Sequence, residues 1–517
     1  MGGFAAAYAA LRCNLSVIIT EEYDRLGGQM TAQAVPPDEH PWIERCGGTA
    51  TYRRLRRDVR EFYRRYYPLS AEARLREHLN PGDGCVSALC HEPKVSESIM
   101  RSYLMPYSAA GKLKVLLNCQ PTAAEVQNDA IVSVTVRDGE GNLFQLAAPQ
   151  FIDATELGDL LPLCGAEHTV GAEAQSETQE PHAAAVADTR NQQSHSWCFV
   201  IDYQPGRDNT IDKPSNYRFW RNYTPELTPS WGSPLFSWQA THPITLEPVV
   251  RSFDPLHPQP ERGPMDLWTF RRIAHARNFT PGLYASDIVL VNWPQIDYML
   301  GPLVGVSDQE KQRHLQGARE LSLCFFYWMQ TEAPRSDGGQ GWPGLRLRGD
   351  ITGTADGLAA APYIRESRRI KGRFTVLEQH LSPECQPPSA TRAQSYWDSV
   401  GIGAYRIDLH PSTAGHNYID VSALPFQIPL GALIPQRLSN LLAGGKNLSV
   451  THITNGCYRL HPVEWNIGEA AGLLAAFAQE KHLSFPAIYE KRQLVGEYQD
   501  LLRRQGIELE WPHLGAL

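Results

Sequence analysis

No stretch of this 517-residue chain approaches the roughly 20 consecutive apolar residues that a membrane-spanning helix needs. A basic excess is also missing. Lys and Arg number 48 against 56 Asp and Glu, a net charge of -8, whereas a dedicated nucleic-acid binder carries a positive surface. The ten cysteines follow no regular framework, which points away from a disulfide scaffold and toward free thiols in a reducing, cytoplasmic setting. "CHEP" (90–93) has no C-x2-C, H-x3-H or H-E-x-x-H companion, so no structural zinc is expected. The first dozen residues lack the basic start of a secretory signal, and their apolar run is mostly alanine broken by Tyr8 and Arg12. There is no internal repeat and no low-complexity linker. What remains, at 42% hydrophobic residues, is enough apolar material for a large core and a length that suits two to four domains.

The informative residues begin at once. "MGGFAAAYAALRCNLSVIITEEYDRLGGQM" places alanines at 5, 6, 7, 9 and 10, which predicts a helix over 3–13 with a thin surface for close packing. Leu15 to Thr20, with β-branched Val17, Ile18, Ile19 and Thr20, reads as a buried strand, and Glu21 and Glu22 stand at its C-terminal end. The order glycine, helix, strand, acid is that of a dinucleotide-binding βαβ unit, where a glycine turn meets the pyrophosphate and an acid about 20 residues on holds the ribose hydroxyls. Gly3 fits the third glycine of such a unit and Glu21 the ribose acid. "LGGQ" (26–29) adds a second glycine turn where backbone approaches a cofactor. The first strand and the first two glycines are missing, which leaves two readings: a start placed at an internal methionine, or a real loss. An ordinary helix–strand pair of an α/β domain is the plainer alternative.

Downstream, "TYRRLRRDVREFYRRYYPL" (51–69) repeats Leu55, Val59, Phe62 and Tyr66 at helical spacing, with seven arginines expected on solvated faces. A helix over 95–107 and strands broken by a "DGEGN" turn follow. "FIDATELGDLLPLCG" (151–165) then reads as strand, turn and short helix. Residues 166 to about 300 are rich in Pro, Trp and Tyr and suit a substrate domain of irregular loops and strands. Its tryptophans suit either a pocket lining or a core. Helices are expected over 308–332 and 355–371, and strands near 373–378 and 404–409. The chain closes on "NLLAGG", a strand ending in glycines, and "NIGEAAGLLAAFAQE", an alanine-rich helix.

Four segments spread over most of the chain carry a resemblance: "GGFAAAYAAL…EE…LGGQ", "FIDATELGDLLPLCG", "GTADGLAAAPYIRESRRIKGRFTVLEQ" and "LLAGGKNLSVTHITNGCYRLHPVEWNIGEAAG". They resemble the FAD-dependent oxidoreductases of the glutathione-reductase-like flavoprotein fold. The resemblance implies an α/β architecture: a Rossmann-like FAD-binding domain over 1–165 plus 425–485, an inserted mixed α+β substrate domain over 166–424, and a helical tail over 486–517. It implies FAD as cofactor, with Gly3 near the pyrophosphate and Glu21, with Glu22 beside it, at the adenosine ribose. Gly27, Gly28 and Gln29 would line the cofactor. Ala154 and Thr155 match the second, D-A-T-G-type motif, and Gly444, Gly445 and Asn447 match the closing turn by the ribityl chain. Glu156 departs from that motif, which often has glycine there, and "GGKN" lacks the acid often found near the closing turn. The start of the closing helix, near Asn466–Gly468, would point at the flavin pyrimidine and stabilise negative charge developing there.

Oxidation of a substrate by flavin needs a group to take a proton while hydride leaves. "THITNGCYRLHPVEWN" (451–466) gathers His452, Tyr458, Arg459, His461 and Glu464, and His461 is the first candidate for proton transfer. The alternative is that these side chains hold the loop. Arg365, Arg368 and Arg369 are expected on one helix, to bind a carboxylate or phosphate or to join an ion network with Glu366. His410, at a strand end, reads more readily as structural. Cys85 and Cys90 have C-x4-C spacing, but they lie far beyond Glu21, after a "PGDG" loop, and no second glycine-rich unit for NAD(P)H follows. The leading expectation is dehydrogenation of a small organic substrate by hydride transfer to FAD. A flavin monooxygenase using external NAD(P)H, and a flavin-free remnant or binding protein, are the alternatives. The expected partner is a small molecule, with no nucleic acid and no membrane, and the sequence admits a homodimer.

Overall fold

Small side chains decide the central contact of the fold. In the computed structural model, which describes residues 1–512, the first helix spans Gly2–Arg12 and buries all of its residues except Gly3 and Arg12. Its partner is the closing helix, His461–Lys481. Backbone meets backbone there: a β-carbon on Gly472 would overlap the carbonyl of Ala6. Only glycine permits that approach.

The first helix packs against two parallel strand pairs. In one, Val17–Thr20 lies beside Leu113–Leu116, with Ile18 opposite Lys114. The connection between them runs through the helices Ala50–Tyr66 and Pro93–Ala109. In the other, Phe151–Asp153 lies beside Leu441–Ala443, with Ile152 opposite Leu442. A three-stranded antiparallel sheet, Gln120–Gln127, Ala130–Arg137 and Leu143–Ala147, stands between the two pairs in sequence. The middle of the chain carries a four-stranded antiparallel sheet in the order Arg272–Ala274, Ile288–Val291, Phe199–Tyr203, Leu345–Leu347. The 24-residue helix Asp308–Thr331 buttresses it, the Ser322 hydroxyl donating to the Trp197 carbonyl at 2.7 Å. The architecture is mixed α/β.

Two large apolar cores result. One joins the first hundred residues to 197–363, and the other joins 131–164 to 370–509. Core packing accounts for the tryptophans of the middle segment: Trp238, Trp268, Trp293, Trp328 and Trp342 are all buried and meet Phe253 and Phe325 edge-on or stacked.

Several expectations change. Residues 355–371 are not helical. Their backbone N–H groups bond other segments, Ala359 to Cys198, Ala361 to Ala32 and Tyr363 to Ser196, which leaves none for a helical ladder. Arg365, Arg368 and Arg369 therefore share no helix. The expected strand at 373–378 is reduced to one bridge between Val376 and Val450. In the helix Ala50–Tyr66 the buried face is Tyr52, Leu55, Val59 and Tyr63, while Tyr66 is exposed. Two of its arginines are not solvated. Arg56 and Arg60 are buried and converge on Glu44, and Arg56 also holds Glu39. The closing helix starts at His461, so Asn466–Gly468 lies beyond its first turn, and the stretch before it is the short helix His452–Tyr458. The expected tail contains the helices Phe485–Tyr489 and Arg492–Arg504, and its residues 513–517 lie outside the described residues.

Candidate functional site

The first helix, capped by the backbone of Met1 alone, has a buried start, where the Met1 nitrogen lies 4.0 Å from Glu464 Oε1. Around that end the fold assembles residues from every part of the chain. Gly27, at φ 115°, opens the turn into Gly28–Met30. That turn aims the Gln29 side chain inward, where its amide Nε2 donates to the Arg459 carbonyl at 3.0 Å and to the Glu464 carboxylate. The Gln29 Oε1 is buried without a partner. Glu464 belongs to the first turn of the closing helix.

Lys446, which is buried, pairs at the same place with Glu156, which is partly buried. Glu156 stands where the resembled D-A-T-G motif often has glycine, and Lys446 belongs to the closing "GGKN" turn, which lacks the acid often found there. Burial disfavours the Lys446 ammonium, but Glu156 and Glu464 outweigh it and hold the group charged.

The remaining residues singled out for a cofactor divide in two. Gly3 abuts Ala154, where an added β-carbon would lie 3.1 Å from the alanine methyl, and Gly468 abuts Gly2 across the helix pair. Gly445 lies against Glu464. Glu21 sits at the end of its strand, its Oε1 accepting from the Tyr23 N–H at 3.1 Å. Burial pushes its carboxyl up to about 7. Glu22 turns instead to the Gln120 amide at 2.6 Å. Thr155 and Asn447 shape the turns. The Thr155 hydroxyl donates to Asp153 Oδ1 at 2.8 Å, and the Asn447 amide donates to the Asp153 carbonyl at 2.9 Å. Asp153 Oδ2 is left buried and unpartnered, and burial pushes that carboxyl up to about 6. Asn466 faces away from this cluster, its amide donating to the Val400 carbonyl at 3.1 Å.

Of the four residues expected to do chemistry, Glu464 lies in this cluster and Tyr458 does not. The Tyr458 hydroxyl donates to the Gln427 carbonyl at 2.7 Å and its ring stacks on Phe426. Arg459 reaches the Tyr363 hydroxyl at 3.2 Å and Asp408 Oδ2 at 3.2 Å. His461 is fully buried. Its Nδ1 accepts from the Asp38 N–H at 3.1 Å, its Nε2 has no partner, and burial holds it down to about 4.

Beyond Arg459 lies a second set of charged groups that sequence reasoning largely missed. Arg271 pairs with Asp38 at 3.0 Å, and Arg365 with Asp297 at 3.0 Å. Asp297 also accepts from the Ser196 hydroxyl at 2.6 Å and pairs with His410 Nδ1 at 2.7 Å. Arg365 and His410 hold the Asp297 carboxyl down to about 2 despite its burial. Nothing in the spacing of "NWPQIDYML" marks Asp297, since its partners lie 68 and 113 positions away.

Solved structures show slight likeness. BexE, studied for oxidation during BE-7585A biosynthesis, shares 13% identity over 41% of this chain and 37% of its own, with a TM-score of 0.22. CabE, an aromatic hydroxylase from angucycline biosynthesis, shares 10% over 41% and 36%, with a TM-score of 0.22. OxyS anhydrotetracycline hydroxylase from Streptomyces rimosus shares 10% over 97% and 64%, with a TM-score of 0.30. Each alignment spans less than two thirds of the other chain, and at these scores none carries an argument. No curated protein matches the chain. The family comparison is different in extent, because it takes in the first helix, the glycine turn, the Glu156–Lys446 pair and the closing helix together. Residues 1–502 match the description "FAD dependent oxidoreductase", and the chain belongs to that family, whose members depend on FAD.

Proposed function

We propose that the protein dehydrogenates a small organic substrate, with FAD held from Glu21, past the start of the first helix, to the Gln29–Glu464 pair. One observation carries this reading: Gln29, Glu156, Lys446 and Glu464, up to 435 positions apart, meet beside a helix start with no side-chain cap. The donor set fits a dinucleotide. The helix start suits a diphosphate, half-buried Glu21 suits ribose hydroxyls, and Gln29 Oε1 and Asp153 Oδ2 are acceptors with no partner among the described residues. The two parallel strand pairs on the first helix support a Rossmann-like domain of the glutathione-reductase type.

When bound, FAD supplies the hydride acceptor. This chain's residues supply position and charge. Gln29 ties the glycine turn to the closing helix, and Lys446 keeps a positive charge beside Glu464. In this reading His410 is the proton acceptor. Asp297 takes its Nδ1–H at 2.7 Å, which leaves Nε2 as the basic nitrogen. His461 is a positioning residue instead. Its lone pair on Nδ1 is already occupied by the Asp38 N–H, so it fastens that loop to the closing helix.

The test is calorimetric titration of the purified chain with FAD, followed by the visible spectrum. Stoichiometric binding and a flavin spectrum are expected, with binding weakened in Glu464→Gln. A colourless protein with no heat of FAD binding overturns the reading. Rapid NAD(P)H consumption by the loaded protein would favour the monooxygenase alternative.

A further inference from the structure

One side chain near the start of the first helix has no partner at either end. Gln33 is only 1% exposed, and neither its amide nitrogen nor its amide oxygen meets a hydrogen-bonding group. Among the described residues no other carboxamide has both polar atoms buried and unpartnered. Its neighbours are already engaged. The Gln29 amide is tied to Arg459 and Glu464, the Asn447 amide to Asp153, and Glu156 Oε2 to Lys446. The Gln33 amide lies near the Glu156 carboxylate without meeting it in hydrogen-bonding geometry.

The backbone fixes where this carboxamide sits. The Gln33 N–H donates to the Gly28 carbonyl at 3.1 Å, and the Val35 N–H to the Gln29 carbonyl at 2.9 Å, so the turn folds Gln33 back onto the glycine pair. The turn is anchored on both sides of that point. The Thr31 hydroxyl donates to the Leu26 carbonyl at 2.7 Å, and the Ala32 carbonyl accepts from the Ala361 N–H at 2.9 Å. Gly28 itself abuts the helix start: a β-carbon there would lie 2.9 Å from the Met1 nitrogen and 3.2 Å from Glu156 Oε1. Gln33 therefore belongs between the helix start, which suits a diphosphate, and the Gln29–Glu464 pair. In FAD the segment that joins the diphosphate to the ring is the ribityl chain, a run of hydroxyls.

Chemistry separates the two parts of the cofactor. A diphosphate only accepts hydrogen bonds, so it would satisfy the Gln33 nitrogen and set its own charge against the amide oxygen. A hydroxyl both donates and accepts, so adjacent hydroxyls satisfy both ends of one carboxamide. Buried polar groups are kept where something completes them. We propose that Gln33 holds the ribityl hydroxyls of FAD, its amide nitrogen donating to one and its amide oxygen accepting from another. It supplies a contact that the closing "GGKN" turn, which has no acid, does not. The assignment rests on the reading of this site as the FAD site.

The experiment compares wild type and Gln33→Met, full-length and freed of flavin, by calorimetric titration with FAD and with ADP, which carries a diphosphate but no ribityl chain. The flavin-free variant should melt no lower than wild type, because methionine removes two buried polar atoms that had no partner. FAD affinity should fall about tenfold or more, while ADP affinity should be equal in the two proteins. Equal FAD affinity in wild type and variant overturns the assignment. So does a loss of ADP affinity in step with FAD, which would put Gln33 at the diphosphate. A lower melting temperature of the flavin-free variant overturns it as well, because it would mean that Gln33 holds the turn rather than the cofactor. Wild type that takes up no FAD sinks the FAD-site reading itself, a failure visible without the variant.

Discussion

Gly468 and Gly2 touch through their backbones: a β-carbon on Gly468 would fall inside the carbonyl oxygen of Gly2. Backbone cannot rotate out of the way as a side chain can. Gly468→Ala therefore forces the first and closing helices apart, at about 1–3 kcal/mol of stability, and shifts the helix start proposed to hold the diphosphate. Both the melting temperature and FAD affinity should fall. Gly496→Ala is the matching control of opposite sign. Its helix, Arg492–Arg504, leaves open space around that position, so alanine should stabilise by up to about 1 kcal/mol. Thermal unfolding of both variants checks the pair. A neutral Gly468→Ala would mean the helix contact is looser than the geometry requires.

Lys446 and Glu156 should behave as one unit. Lys446→Met leaves the largely covered Glu156 carboxylate unmatched and should cost about 3 kcal/mol, while Glu156→Gln should cost less, because Glu464 still faces the Lys446 ammonium. The double variant should recover most of that loss. Denaturant unfolding of the four proteins in the cycle is the measurement, and strict additivity would show that the two side chains do not depend on each other.

Glu180 provides the pH signature. It is fully buried, accepts from the Glu378 N–H at 2.8 Å and the Thr451 hydroxyl at 2.6 Å, and burial pushes its carboxyl up to about 7. The folded protein then binds a proton there that the unfolded chain releases near 4.5. The stabilising contribution is complete below 4.5 and is lost as pH rises toward 7. Glu180→Gln cannot lose a proton. Its stability relative to wild type should therefore improve by about 3 kcal/mol between pH 4.5 and 7.5. A flat difference between the two proteins over that window would contradict the raised carboxyl.

Asp297→Asn tests the positioning of His410, with thermal unfolding measured alongside because the buried Arg365 also loses its partner. It removes the carboxylate that orients His410 and pairs with Arg365, while the amide can still accept from Ser196. In the reading above, the rate of flavin reduction should drop about 100-fold with FAD affinity unchanged. The pH profile of that rate should also move, which a merely structural aspartate would not cause. Unchanged kinetics would remove His410 from the proposed chemistry.

Locally encoded features were legible in the sequence. The alanine-rich first helix, the Gly27–Gly28 turn and the helix Asp308–Thr331 follow from propensity and spacing within one window. What escaped depends on distant partners. Residues 355–371 have helical composition, yet their N–H groups are taken by segments as far away as Ala32. Arg56 and Arg60 read as solvated because the acids that bury them, Glu39 and Glu44, lie upstream of the helix. Glu156 read only as a departure from a motif, and its contact with Lys446, 290 positions away, is visible only in the fold. At the site, Gln29 and Glu464 were singled out separately, while Asp297 carried no signal at all.

The closeness of the first and closing helices also bears on synthesis. The first helix leaves the ribosome with its small-residue surface bare, and its partner helix begins at His461. At roughly 5–20 residues per second, that leaves about half a minute to a minute and a half before docking can begin. Throughout that interval Phe4, buried in the finished protein with its ring 5.5 Å from that of Trp465, has no closing helix to cover it. Truncation before residue 461 would make the exposure permanent, so nonsense products of this chain should be insoluble or rapidly degraded even when most of the sequence has been made.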